Sequence, residues 1–296
     1  MAVTFGTSSP LVIKPKTDGF DTRGPATPRP AAAPAEAAGP WAAKAGGPRV
    51  DTGAPQSLDA ALTLAGNFQR LRGSDRAAAR TGLSDFFSKN PAQLDQLLAT
   101  GSPADKQNVA RAVFQGFLDK ATPNTGNYQR MVKLAEAMDP NAKLGDLTRA
   151  LRQQYYGDDM LQLAGFGMGD AKPNLSPELK SMIDGAGGAL KKKWQEIPGP
   201  DGQPVDIAHS LVALDAQENN PGVNGKVRAW VFTDFGDWAT GVLSKLGATG
   251  AGDDNPTDQR GNDFGGQLMK SQRTAPAASL SALLSRNLQP DAFLKR

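Results

Sequence analysis

Three dipeptides set the limits on how this chain can fold: Asn90-Pro91, Ser102-Pro103 and Ser176-Pro177. Each joins a helix-capping side chain to a proline, which suits the first turn of a helix and blocks its interior. After Ser102-Pro103, Val109, Val113 and Phe117 recur every fourth residue, with Ala110, Phe114 and Leu118 beside them. That spacing gives one continuous apolar face on a helix. A chain built of such units buries its apolar stripes by packing helix on helix. The sequence therefore predicts an all-α fold, a multi-helix globular domain.

The same signals place the other helices. Ser57 caps a helix through Leu58, Leu62, Leu64, Phe68 and Leu71, and Gly73 ends it. Ser74-Asp75 starts the next, which reaches Phe86 and Phe87. Gly101 closes the helix begun at Asn90-Pro91. Further helical segments fit residues 127–138 and 146–156. Ser176-Pro177-Glu178 opens a later helix, interrupted by Gly185-Ala186-Gly187-Gly188. Lys191-Lys192-Lys193-Trp194 then reads as a solvated helix end with one anchoring aromatic.

Residues 1–55 are of another kind. Gly24-Pro25-Ala26-Thr27-Pro28-Arg29-Pro30 and the alanines and prolines after it cannot bury enough apolar surface to offset their ordering entropy. They are expected to form a disordered tail, with Leu11-Val12-Ile13 an incidental apolar cluster within it. Residues 56–164 form a first helical subdomain in this reading. The stretch around Gly165-Phe166-Gly167-Met168-Gly169 is a connector over 165–175, since it lacks the flanking signature of a phosphate-binding loop. Residues 176–296 form a second helical subdomain.

Composition excludes several functions. The chain of 296 residues has no cysteine, which removes disulfides, thiolate metal sites and cysteine nucleophiles. A net charge of +3 and 6% aromatic residues argue against a nucleic-acid partner. No stretch has the length and apolarity of a membrane span. The N-terminus lacks the basic and apolar regions of a classical signal peptide. Both a cytoplasmic location and secretion by another route stay open.

The candidate chemistry gathers around His209, the only histidine. The turn-rich Ile197–Pro204 loop delivers a segment from Val205 to Ala216 that reads as a helix. Asp206 and His209 lie three apart at the edge of its apolar stripe. Such a pair shares a metal, or the carboxylate orients the imidazole as a general base. Structural roles compete: Asp206 is also well placed as the helix N-cap, and His209 as a partly buried, backbone-bonded side chain. Asp215 falls inside the apolar stripe, where a carboxylate must be paired, metal-bound or near the helix end. Asp237 stands among the aromatics of Trp230–Trp238, a setting that shifts carboxyl pKa values. Asp263 stands at an expected helix start, after the oxygen-rich Asp253–Asp258 segment, which lacks the glycine and glutamate of a calcium loop.

Asp206-x-x-His209, Leu214-Asp215-Ala216, Gly236-Asp237 and Asn262-Asp263-Phe264-Gly265-Gly266 together resemble a pattern in uncharacterised bacterial proteins. The resemblance spans about residues 200–270 and implies that His209, Asp206, Asp215, Asp237 and Asp263 belong to one site. Two functions follow. In the first the protein is an exported or delivered bacterial effector with a His/Asp hydrolytic site acting on a cell-envelope polymer, with or without a divalent metal. In the second it is a non-catalytic cytoplasmic protein that binds, inhibits or is carried by a protein partner.

Overall fold

A computed structural model describes residues 51–156, 172–199, 201–219 and 256–288. Among these the fold is helical, with one two-stranded hairpin. Residues 1–50 of the expected tail, the Gly-rich stretch 165–170, Asp237 with its aromatic neighbours, and Asp253–Asn255 lie outside the described residues.

Side chains of Ser57, Ser102 and Ser176 cap their helices as expected. Ser57 Oγ accepts the Ala60 N–H and opens α1, Leu58–Asn67. The chain then tightens into a 3-10 turn over Phe68–Arg70 and does not carry the α-helix to Leu71. Gly73 takes a φ of +51°, which glycine adopts at no steric cost, and is the first residue of α2, Gly73–Lys89. The Asn90 side chain serves α2 and not α3, because its Nδ2 donates back to the Phe86 carbonyl at 2.8 Å. Pro91 opens α3, Pro91–Thr100. Ser102 Oγ accepts the Asp105 N–H and opens α4, Pro103–Lys120. α5 (Thr125–Met138) and α6 (Leu144–Tyr156) follow. The α4 stripe of Val109, Val113, Phe114 and Phe117 is fully buried.

The glycines at 185–188 do not interrupt α7, Pro177–Ala189. Two of them lie against side chains of neighbouring helices: a Cβ at Gly185 would meet the Gln115 side chain, and one at Gly187 the Gln154 side chain, whereas Gly188 faces open space. The helix continues through them despite their low propensity. The helix widens into a π-turn over Leu190–Trp194. Trp194 is buried and its indole N–H donates to the Leu118 carbonyl, while Lys193 Nζ donates to that of Asp119. Two orphan carbonyls at the end of α4 are thereby satisfied.

Strands β1 (Glu196–Pro198) and β2 (Pro204–Asp206) pair antiparallel, with Ile197 opposite Val205. β2 takes the first two residues of the segment expected to be helical from Val205, and the helix starts at Ile207. α8 (Ile207–Asn219), α9 (Pro256–Thr274) and α10 (Leu280–Asn287) complete the described elements. α8 lies between α6 and α9. Buried apolar side chains from Ala61 to Leu288 form one cluster, to which elements on both sides of residues 165–175 contribute.

Candidate functional site

β2 runs directly into α8, and Asp206 stands at that junction. Its backbone is held by the hairpin, and the next N–H, of Ile207, donates to the Gln195 carbonyl at 2.9 Å. This fixes the carboxylate over the first turn of the helix, where an N-cap acceptor is needed. Oδ1 accepts the His209 N–H at 3.0 Å. Oδ2 lies 3.1 Å from His209 Nδ1 and accepts from Gln195 Nε2 at 3.5 Å. The carboxylate is buried, whereas 24% of the His209 side chain is exposed. One carboxylate thus caps α8 and contacts the imidazole.

α9 packs against this turn through two glycines. A Cβ on Gly261 would fall 2.5 Å from the Asp206 carbonyl oxygen, and one on Gly265 2.9 Å from the Ala213 Cβ. Ser210 fits between the helices, its Oγ within donor reach of the Asp206 carbonyl at 2.9 Å and of the Gly261 carbonyl at 2.8 Å. Asp263 is exposed on α9, seven residues after the helix start at Pro256 and not at a start of its own.

Asp215 belongs to a different cluster. It lies nine residues beyond Asp206 on α8, about 14 Å along the axis. Arg152 Nε donates to its Oδ2 at 2.6 Å and Arg149 Nε to its Oδ1 at 3.3 Å. Asp215 and Arg152 are almost fully buried, Arg149 slightly less so. Of the ways a carboxylate can sit in an apolar stripe, pairing is the one adopted here. The structure thus brings Asp206 and His209 together and seats Asp215 against α6.

A groove of about 500 Å³ opens elsewhere, between α3, α4, α5, the start of α6 and the start of α10. Leu98, Leu144, Leu147 and Leu280 give it an apolar lining, and Lys106 and Lys133 reach it half-buried. Its two acids are tied into the fold. Glu136 accepts the Ser281 N–H at 2.8 Å, the Ser281 hydroxyl at 2.6 Å and the Ser279 hydroxyl at 3.3 Å, capping α10. Asp139 accepts the Ser176 N–H at 2.6 Å, just before α7. Lys106 Nζ donates to the Ala99 carbonyl at 3.2 Å. Lys133 makes no hydrogen bond or ion pair among the described residues.

No group of three or more metal-ligating side chains occurs among the described residues, and no described helix is long and apolar enough to cross a membrane. Sequence reasoning missed the Arg149/Arg152 pair, although three-residue spacing puts both on one face of α6. It also missed Gly261-x-x-x-Gly265, a spacing that itself marks a close helix crossing. No family profile, curated protein or solved structure matches the chain.

Proposed function

We propose that this is a binding protein whose groove takes a segment of a protein partner, an apolar side chain flanked by a carboxylate. The groove carries the reading: an apolar lining meets two lysine ammoniums, while its own carboxylates are engaged in capping α10 and holding the chain before α7. Its volume falls in the range of ligand sites, and a few polar groups over an apolar wall are what fix a ligand's orientation. Lys133, with no described partner, supplies the complementary charge. Panning a random peptide library displayed on phage against the protein tests this. Enrichment of peptides with Leu, Ile or Phe beside Asp or Glu is expected, with retention lost for Lys106→Glu/Lys133→Glu of unchanged circular dichroism. No enrichment, or equal retention by the double variant, would sink the reading.

The Asp206–His209 contact favours a second reading, the hydrolytic effector. In it the carboxylate orients the imidazole, which takes a proton from water as the water oxygen bonds to the electrophilic carbon of an envelope polymer. The bond to the leaving group breaks and the imidazolium returns the proton to it. Release of soluble fragments from purified peptidoglycan is the assay. Loss of release in His209→Ala at unchanged melting temperature supports this reading; release unchanged in that variant, or none from the folded wild type, ends it.

A further inference from the structure

On the other side of α4, three arginines meet in one small pocket. α2 carries Arg76 and Arg80 one turn apart, and both guanidinium groups lie over the same ring, 4.9 and 5.7 Å from the centroid of buried Phe68. Arg111 enters from α4 and donates to Glu178, at the start of α7, at 2.8 Å. These side chains line a cavity of about 260 Å³ together with Gln69 and Gln115.

The charges do not balance. Among the described residues three guanidinium groups face one carboxylate, and Glu178 is engaged by Arg111 through Oε2 and by Gln69 through Oε1. Among the described residues Arg80 reaches only the neutral Gln115 Oε1, at 3.5 Å. The Arg76 Nε is shut off from solvent and makes no hydrogen bond with any described residue. Like charges one helical turn apart repel, and a buried donor without an acceptor is costly. Phe68 adds a cation–π face that holds the guanidinium planes, but it accepts none of their in-plane hydrogen bonds. An acceptor with several oxygens and a charge near −2 would engage these donors and balance the cluster.

We propose that Arg76, Arg80 and Arg111 form a binding site for a phosphate-type dianion, either inorganic phosphate or the terminal group of a small phosphate monoester. Planar guanidinium forks match the oxygens of such a group. The dianion balances the excess of two positive charges, whereas a carboxylate or a phosphodiester carries only one. The site is separate from the groove proposed above and does not depend on it.

Isothermal titration calorimetry of the full chain at low ionic strength tests the site, with inorganic phosphate, O-phosphoserine, dimethyl phosphate and acetate as ligands. Saturable binding of inorganic phosphate is expected, with dimethyl phosphate and acetate at least tenfold weaker. O-phosphoserine binding as well as phosphate or better marks an esterified ligand; binding well below it marks the free ion. Arg76→Gln and Arg80→Gln should each weaken phosphate at least tenfold. Arg80→Lys, which keeps the charge and loses the fork, should fall between. Lys89→Gln, the same charge change at the far end of α2, should leave binding within twofold. Thermal shift gives an independent readout, since a ligand of the folded state raises the melting temperature. No saturable phosphate binding by the folded protein, equal binding of acetate, or an equal loss in Lys89→Gln would overturn the proposal.

Discussion

One carboxylate oxygen of Asp206 accepts the backbone N–H of His209 while the other lies 3.1 Å from the imidazole Nδ1 of the same residue. The side chain that starts α8 therefore also sets the histidine's orientation. Asp206→Ala should cost about 0.5–2 kcal/mol from the lost cap alone. Asp206→Asn keeps an acceptor oxygen over the first turn and should retain most of that stability. Urea denaturation of the two variants separates capping from charge. An equal loss in both would show that charge, not the cap, is what α8 needs from this residue.

Asp215 should be far less tolerant. Removing it takes from Arg149 and Arg152 a buried carboxylate that both contact, and breaking a buried pair this way costs about 3–5 kcal/mol. Arg149→Met should cost less than Asp215→Ala, because Arg152 still holds the carboxylate at 2.6 Å. Equilibrium unfolding gives both values, and the reverse order would mean that Arg149 is the principal partner.

Phe114 is buried among the α4 stripe residues. Phe114→Ala should cost about 3–5 kcal/mol by leaving a cavity that helices on both sides cannot close. A loss under about 1 kcal/mol, the level of ordinary surface changes, would place the core elsewhere.

How much was legible differs from residue to residue. The Phe114 stripe and the caps at Ser57, Ser102 and Ser176 depend on neighbours within a turn, and sequence periodicity carries that information. Asp206 and His209 were legible for the same reason. Asp215 was legible as an acid that needed something, but its partners lie 63 and 66 residues away on α6. No local pattern names such a partner. The glycines of α7 misled because low helix propensity is a local property, whereas the close approach of Gln115 and Gln154 is tertiary. The groove draws on segments from Leu98 to Ser281 and exists only once the helices are packed.

The hairpin carries a pH signal. Arg260 Nη2 lies 2.7 and 2.8 Å from the two oxygens of Asp201, and this hydrogen bonding holds the Asp201 carboxyl below its ordinary value of 3.8. A carboxyl lowered in the folded state contributes stability above its unfolded value, and that contribution is lost as pH falls through the lowered one. Glu218 runs the other way. Partial burial raises it, so its effect favours the folded state at low pH and fades as pH rises through the raised value. Carboxyl-carbon NMR titration should find Asp201 below and Glu218 above the ordinary range. Arg260→Gln should return Asp201 toward 3.8 and leave Glu218 where it is.

Neighbouring glycines on α9 should respond in opposite directions to the same substitution. At Gly265 an added Cβ would lie 2.9 Å from the Ala213 Cβ and 3.1 Å from the Ser210 backbone, so α8 and α9 must separate to admit it. Overpacking of this kind costs about 1–3 kcal/mol. Gly261→Ala should cost at least as much, since its Cβ would meet the Asp206 carbonyl oxygen at 2.5 Å and disturb the turn that holds His209. At Gly266 nothing lies within 4 Å of the new methyl. There alanine only restricts the unfolded chain and improves helix propensity, a gain of about 0.4–1 kcal/mol. Thermal unfolding should therefore rank Gly266→Ala above wild type and both Gly265→Ala and Gly261→Ala below it. Melting temperatures in which Gly265→Ala matches Gly266→Ala would mean that α9 does not approach α8 this closely, and the Ser210 bridge between the two helices would fall with that contact.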